Sequence, residues 1–76
     1  MAARSRPAGP APDDELKPRD VMVLRLLSEG YSVADIAQEL DYAESTIKRE
    51  VHLIVRRLGA RNRTHAVAMA VRASFI

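Results

Sequence analysis

Seventy-six residues carrying a net charge of +2 and 47% hydrophobic content make one small globular domain with no room for a second, enzymatic one, and a chain of this size buries only about 60% of its unfolded surface. The absence of cysteine excludes a disulfide framework, a thiolate zinc site and a cysteine nucleophile. Tyr31, Tyr42 and Phe75 are the only aromatic residues, so the core has to be built from Leu, Ile, Val and Ala, a supply that suits packed helices.

The charge is unevenly placed. Residues 1–14 are balanced, residues 15–40 hold three cations against five anions, and residues 41–63 hold six cations against three anions. A local basic surface of this kind points to a polyanion site rather than to general stickiness. No apolar run approaches the roughly 18 residues of a membrane span, and the N-terminus lacks the apolar segment of a signal peptide, so the expected location is the cytoplasm.

In chain order, Pro7, Pro10 and Pro12 with Gly9 describe an N-terminal tail, residues 1–14, that can bury little and is expected to stay disordered, with the ordered domain spanning 15–76. Pro18 suits the first turn of a helix whose inner face carries Val23, Leu24 and Leu27, ended by Gly30. A short second helix starts from Ser32 as N-cap with Asp35 as its capping-box partner, and places Val33, Ile36, Ala37 and Leu40 on one side. Asp41, Tyr42 and Ala43 interrupt it before a third helix from about Glu44 to Leu58, closed by Gly59. Asn62 is a good N-cap for a last, alanine-rich helix reaching almost to the C-terminus. The fold expected is all-α, four helices, the middle two forming a helix-turn-helix.

The third helix has two faces. Ile47, Val51, Ile54, Val55 and Leu58 recur at core spacing, and at about 100° per residue this stripe leaves Ser45, Arg49, His52, Leu53 and Arg56 most exposed, with Lys48 at the border. Arg57 lies nearer the core and is the weakest of the cations as a nucleic-acid contact. Glu50, among these cations, has no partner at three or four residues on its own helix. Its place at the flank of the stripe favours a donor elsewhere in the domain over the amino group of a cytosine.

The pieces "LKPRD", "VLRLLSEGYSVADIAQEL", "AESTIK" and "RRLGARNRTHAVAMA", in order and without a gap from Leu16 to Arg72, resemble the DNA-binding domain of LuxR/GerE-type transcription regulators, also the output domain of FixJ/NarL-type response regulators. The resemblance implies a sequence-specific regulator of transcription whose third helix lies in the major groove of double-stranded DNA. It implies base contacts from Lys48, Arg49 and His52. Phosphate contacts are implied for Ser32 and Val33 through backbone donors, and for Ser45, Thr46, Arg56, Arg61 and Asn62. No catalytic residue, metal or cofactor is implied, and isolated His52 and His65 do not suggest a metal; His65 is assigned to the first turn of the last helix.

That last helix is apolar on two sides. Ala66, Val67, Ala70 and Ser74 suit the core, whereas Thr64, Ala68, Val71 and Phe75, with Ala60 at the edge, form a second face. The resemblance implies that this second face meets its copy in a homodimer on a pseudo-palindromic site; cover for the N-terminal tail is the alternative. No receiver or ligand-binding domain accompanies the helices, which suits a stand-alone, GerE-like member or the output piece of a longer regulator, and the stand-alone form is the expectation taken forward. Departures from the family pattern are Lys17 and Ala43 at two N-cap positions, a deficit of about 1 kcal/mol each, Val21 and Met22 where charges are usual, and Glu50 where His is common. Exposed Val21, Met22, Leu53 and Phe75 support a competing reading, a protein-interaction adaptor binding another regulator or RNA polymerase, for which acidic Asp35 and Glu39 offer a further surface.

Overall fold

The computed structural model describes residues 16–76; the tail expected at residues 1–14 lies outside the described residues. Four helices follow in order: α1 (Pro18–Ser28), α2 (Val33–Leu40), α3 (Glu44–Leu58) and α4 (Arg63–Arg72). No strand occurs among the described residues, and none of their helices is long and apolar enough to cross a membrane.

Each helix end follows from a local hydrogen-bonding group. Pro18 opens α1 where its missing donor costs nothing. Lys17 supplies no side-chain cap, but its backbone N–H donates to Asp20 Oδ2 at 3.0 Å, so the acid in the first turn holds the entry of the helix. Gly30, at φ 93°, lets the chain leave α1 with the Gly30 and Tyr31 N–H groups returning to Leu27 and Leu26 carbonyls, a Schellman closure. Ser32 and Asp35 form the expected reciprocal box on α2: Ser32 Oγ accepts from the Asp35 N–H at 3.0 Å and Asp35 Oδ2 accepts from the Ser32 N–H at 3.3 Å. Ala43 leaves the start of α3 without a side-chain cap.

The core is a single aliphatic cluster: Val23, Leu24 and Leu26 from α1, Ile36 and Ala37 from α2, Ile47, Val51 and Ile54 from α3, and Ala66 and Ala70 from α4. Alanine in α4 permits close approach, so a short helix can seal a thin core. α3 packs against all three other helices, which makes its orientation the quantity the rest of the domain sets.

Two sequence expectations are corrected. Leu27 packs against the core as expected, half-buried at the edge of a shallow cleft lined by Tyr31, Arg63 and Val67, and Leu26 joins Val23 and Leu24 in the buried face because α1 meets several helices and buries a wide arc. α4 stops at Arg72 rather than near the terminus: Ser74 adopts φ 62° and the Phe75 N–H returns to the Ala70 carbonyl at 2.9 Å. Ser74 is therefore exposed, and Ile76 folds back against the core in its place.

Among the described residues, one polar residue lies inside. Asp20 is 1% exposed, and its Oδ2 receives the Lys17 N–H and Arg57 Nη1, each at 3.0 Å. Oδ1 has no hydrogen-bond partner among the described residues. Removing the cation from such a pair leaves an uncompensated buried charge, so Arg57→Met is expected to lower the unfolding free energy by about 3–5 kcal/mol, and Asp20→Leu in the same chain to recover much of that loss. Urea titration followed by circular dichroism measures both.

Candidate nucleic-acid interface

The turn between α2 and α3 is short because Asp41 takes a left-handed conformation, φ 62°, which aspartate tolerates better than most residues. The Asp41 N–H reaches the Gln38 carbonyl at 3.4 Å and the Tyr42 N–H the Ala37 carbonyl at 2.8 Å. The chain is thereby turned within three residues into α3.

Around α3 the side chains separate into arcs. Ile47, Val51 and Ile54 are buried, with Val55 and Leu58 half-buried beside them. Ser45, Lys48, Arg49, His52 and Arg56 are exposed on the outside, while Thr46 and Leu53 are half-buried. Leu53 is thus less open than the helical wheel suggests, since it sits toward the flank that α1 covers. Lys48 approaches Glu44 one turn away at 4.0 Å, a long contact between two exposed groups that leaves the ammonium free to exchange partners.

On the covered flank stand two charged residues that face inward. Glu50 accepts a hydrogen bond through Oε2 from Arg19 Nη2 at 3.0 Å, and Arg57 is held by Asp20. Glu50 therefore has its donor within the domain, on α1. Arg19 Nη1 also donates to Tyr42 Oη at 3.2 Å, and the guanidinium lies over the Tyr42 ring, 5.1 Å from its centroid. The Tyr42 hydrogen bond, and then the charge of Glu50, raise the pKa of Arg19 above the ordinary arginine value, so it stays charged throughout the working range. Arg57, whose side chain is only 13% exposed, is withdrawn from the outward cationic set by its pairing with Asp20.

Beyond Gly59 the loop into α4 is ordered by side chains. Asn62 Oδ1 caps α4 by accepting the His65 N–H at 2.8 Å, and His65 Nδ1 accepts the Arg61 N–H at 3.0 Å. His65 thus serves the helix start, and Asn62 has its oxygen committed, leaving its amino group as the donor that could reach a phosphate. A cleft between the start of α2, α3 and this loop is lined by Val33, Lys48, His52, Arg61, Asn62 and Arg63. It gathers five of the expected contact residues, from three parts of the chain, and adds Arg63, which sequence reading left as an ordinary helix residue. Its signal was its place beside Asn62 in the cation-rich segment. Ser32, the N-cap immediately before Val33, is exposed but not part of the cleft lining, and Arg49 and Arg56 stand outside the cleft on the open side of α3.

The sequence pattern described as "Bacterial regulatory proteins, luxR family" matches residues 14–70, across all of the helix-turn-helix and into α4. The chain belongs to the LuxR family. Among LuxR-type relatives, it is 39% identical over 67 residues to the transcriptional activator protein BjaR1 of Bradyrhizobium diazoefficiens, covering 88% of this chain and 28% of the relative. It is 41% identical over 54 residues to the transcriptional regulatory protein YxjL of Bacillus subtilis, covering 71% and 25%, and 38% identical over 69 residues to a glycerol metabolism activator of Pseudomonas putida, covering 88% and 31%. The chain therefore spans about a quarter to a third of the length of these relatives, the part corresponding to a DNA-binding domain of transcription regulators.

Of the residues expected on the second face of α4, Thr64 and Val71 are exposed and Ala60 and Ala68 half-buried, whereas Phe75, though exposed, lies past the end of α4 beyond the left-handed Ser74 and does not continue that helical face; of the apolar positions on α1, Met22 is exposed and Val21 half-buried. Because the loop geometry hangs on the cap, Asn62→Ala is expected to lower stability by about 1 kcal/mol and to speed amide exchange at Arg61 and His65 selectively, as read by hydrogen–deuterium exchange.

Proposed function

We propose that this domain binds a specific duplex DNA sequence as a homodimer and regulates transcription from a pseudo-palindromic site. The observation that carries the reading is the sorting of charge on α3: Glu50 and Arg57 are turned inward to partners on α1, and the side left facing solvent is Ser45, Lys48, Arg49, His52 and Arg56. A helix stripped of its outward anion beyond the first turn, and backed by a cationic cleft, suits a polyanion with readable edges.

In this reading Lys48, Arg49 and His52 meet base edges in the major groove, Arg49 with the fork that matches guanine O6 and N7. Arg56, Arg61, the Asn62 amino group, Ser45 and Thr46 hold phosphates, as do the backbone donors at Ser32 and Val33, where α2 begins. Arg63 joins them from the cleft. The face of Ala60, Thr64, Ala68, Val71 and Phe75 meets its copy about a two-fold axis, small side chains at Ala60 and Ala68 allowing the helices to approach. The two recognition helices then fall on half-sites about one helical turn apart, roughly 10 base pairs.

Binding measured against salt on duplexes enriched from a random pool is expected to give a log–log slope of roughly −0.9 for each phosphate neutralised. Arg49→Ala should relax discrimination at one base pair by about 1–3 kcal/mol, and Arg56→Ala should weaken all duplexes alike and shorten the slope by about 1. Affinity that ignores salt, or absence of binding on every duplex, overturns the reading. For the dimer, Val71→Asp is expected to leave helicity intact while shifting sedimentation to the monomer and abolishing cooperative occupation of paired half-sites.

A further inference from the structure

Reading a base edge requires tighter geometry than an aliphatic core can impose. Crossing angles between helices packed on apolar side chains scatter by about 15–20°, and the α3 stripe of Ile47, Val51, Ile54 and Leu58 offers only non-directional contacts, which hold rotation about the axis no more strictly. At the outer radius of about 5–6 Å that side chains reach, a 15° rotation about the axis moves the outer side-chain atoms by about 1.5 Å, enough to break a two-pronged hydrogen bond. Something directional has to stop α3 from turning.

The first turn of α1 supplies it. Arg19 and Asp20 are adjacent in sequence and carry opposite charges, and they grip one flank of α3 at two points, Glu50 and Arg57, seven residues apart. Those two positions lie within about 20° of each other around the helix and about 10.5 Å apart along it. The polarity is alternate, cation to anion and then anion to cation. Any slip that brought Arg19 toward Arg57, or Asp20 toward Glu50, would oppose like charges, so the arrangement specifies register as well as contact. Arg19 adds a third tie, through its other amino group and its guanidinium face, to Tyr42 in the turn that launches α3.

We propose that Arg19, acting through Glu50 and Tyr42, is a positioning residue that fixes the rotation of α3 about its axis and thereby sets the sequence preference of Lys48, Arg49 and His52 without touching DNA. This rests on the DNA-reading function proposed above. The Asp20–Arg57 pair is buried and holds the fold; the Arg19–Glu50–Tyr42 set is more open, with 38% of the Arg19 side chain exposed, and is suited to orientation rather than to holding the core.

The test uses the full 76-residue chain and the variants Arg19→Gln, Arg19→Lys, Glu50→Gln and Tyr42→Phe. The wild type first enriches duplexes from a random-sequence pool; each protein is then measured on the enriched duplex, on all its single-base variants and on a scrambled duplex. Amide residual dipolar couplings, taken without DNA, report the angle and rotation of α3 relative to α1. Arg19→Gln and Glu50→Gln are expected to lower the enriched-to-scrambled ratio about tenfold, spread over every preferred base pair, with scrambled affinity changed by less than about twofold and α3 rotated by about 10–20°. Arg19→Lys, which keeps the charge but loses the fork that ties Glu50 and Tyr42 together, should fall between wild type and Arg19→Gln. Tyr42→Phe keeps the ring and should cost least.

Lower melting temperature with an intact ratio and unmoved couplings makes the set merely structural and overturns the proposal. Loss of preference at a single base pair in Glu50→Gln overturns it in favour of direct reading of a cytosine amino group. If the wild type enriches no duplex, the DNA-reading function falls and this proposal's claim on sequence preference falls with it, while the couplings alone still decide whether Arg19 holds α3 in place.

Discussion

A single buried carboxylate organises this domain. Asp20 lies in the first turn of α1, almost wholly removed from solvent, and one of its oxygens joins the backbone entry of its own helix to the guanidinium of Arg57 near the end of α3. Burying a charge is costly unless it is paired and hydrogen-bonded, so α1 and α3 have to stay in contact at this point for the pair to form. A core of ten aliphatic side chains, five of them the small Val23, Ala37, Val51, Ala66 and Ala70, makes only non-directional contacts. The ion pair adds a directional contact between α1 and α3.

Such pairing across helices explains how one amphipathic helix carries two kinds of charge. On α3 the polar residues of the flank are consumed by α1, Glu50 by Arg19 and Arg57 by Asp20, while those of the outer arc are left to solvent. The result is an outward surface more uniformly cationic than the composition of the helix, which holds Glu44 and Glu50 beside its basic residues. A LuxR-family domain this small has little area to devote to electrostatics, and it gains contrast by turning an anion inward rather than by adding cations.

The loop after Gly59 shows the same economy in neutral groups. Asn62 accepts from the His65 N–H at the start of α4 and His65 accepts from the Arg61 N–H before it, so Arg61 and Arg63 are displayed from an ordered segment that lies against α3 and the beginning of α2. The cationic cleft is thus a product of three chain segments held by caps at Ser32 and Asn62, each cap satisfying donors that a helix end leaves open.

Local chemistry was legible in the sequence. Pro18, Gly30, Ser32 with Asp35, Gly59 and Asn62 bracket the helices because their backbone or side-chain preferences act within four residues, and the 3.6-residue period located the α3 stripe for the same reason. The flank position of Glu50 said that it faced inward. Which donor it met was decided only when α1 crossed α3, since Arg19 is 31 residues away and no local rule links them. The buried Asp20, the withdrawal of Arg57 and the entry of Arg63 into the cleft have the same origin: each depends on contacts across the chain. The misplacement of Ser74 has a local origin: helical periodicity was extended past a turn that the Ala70 carbonyl closes. Sequence alone determined the helices, their order and which of their faces are apolar. Tertiary packing decided which charges are spent inside the domain and which remain to act, because desolvation and pairing are set by neighbours in space.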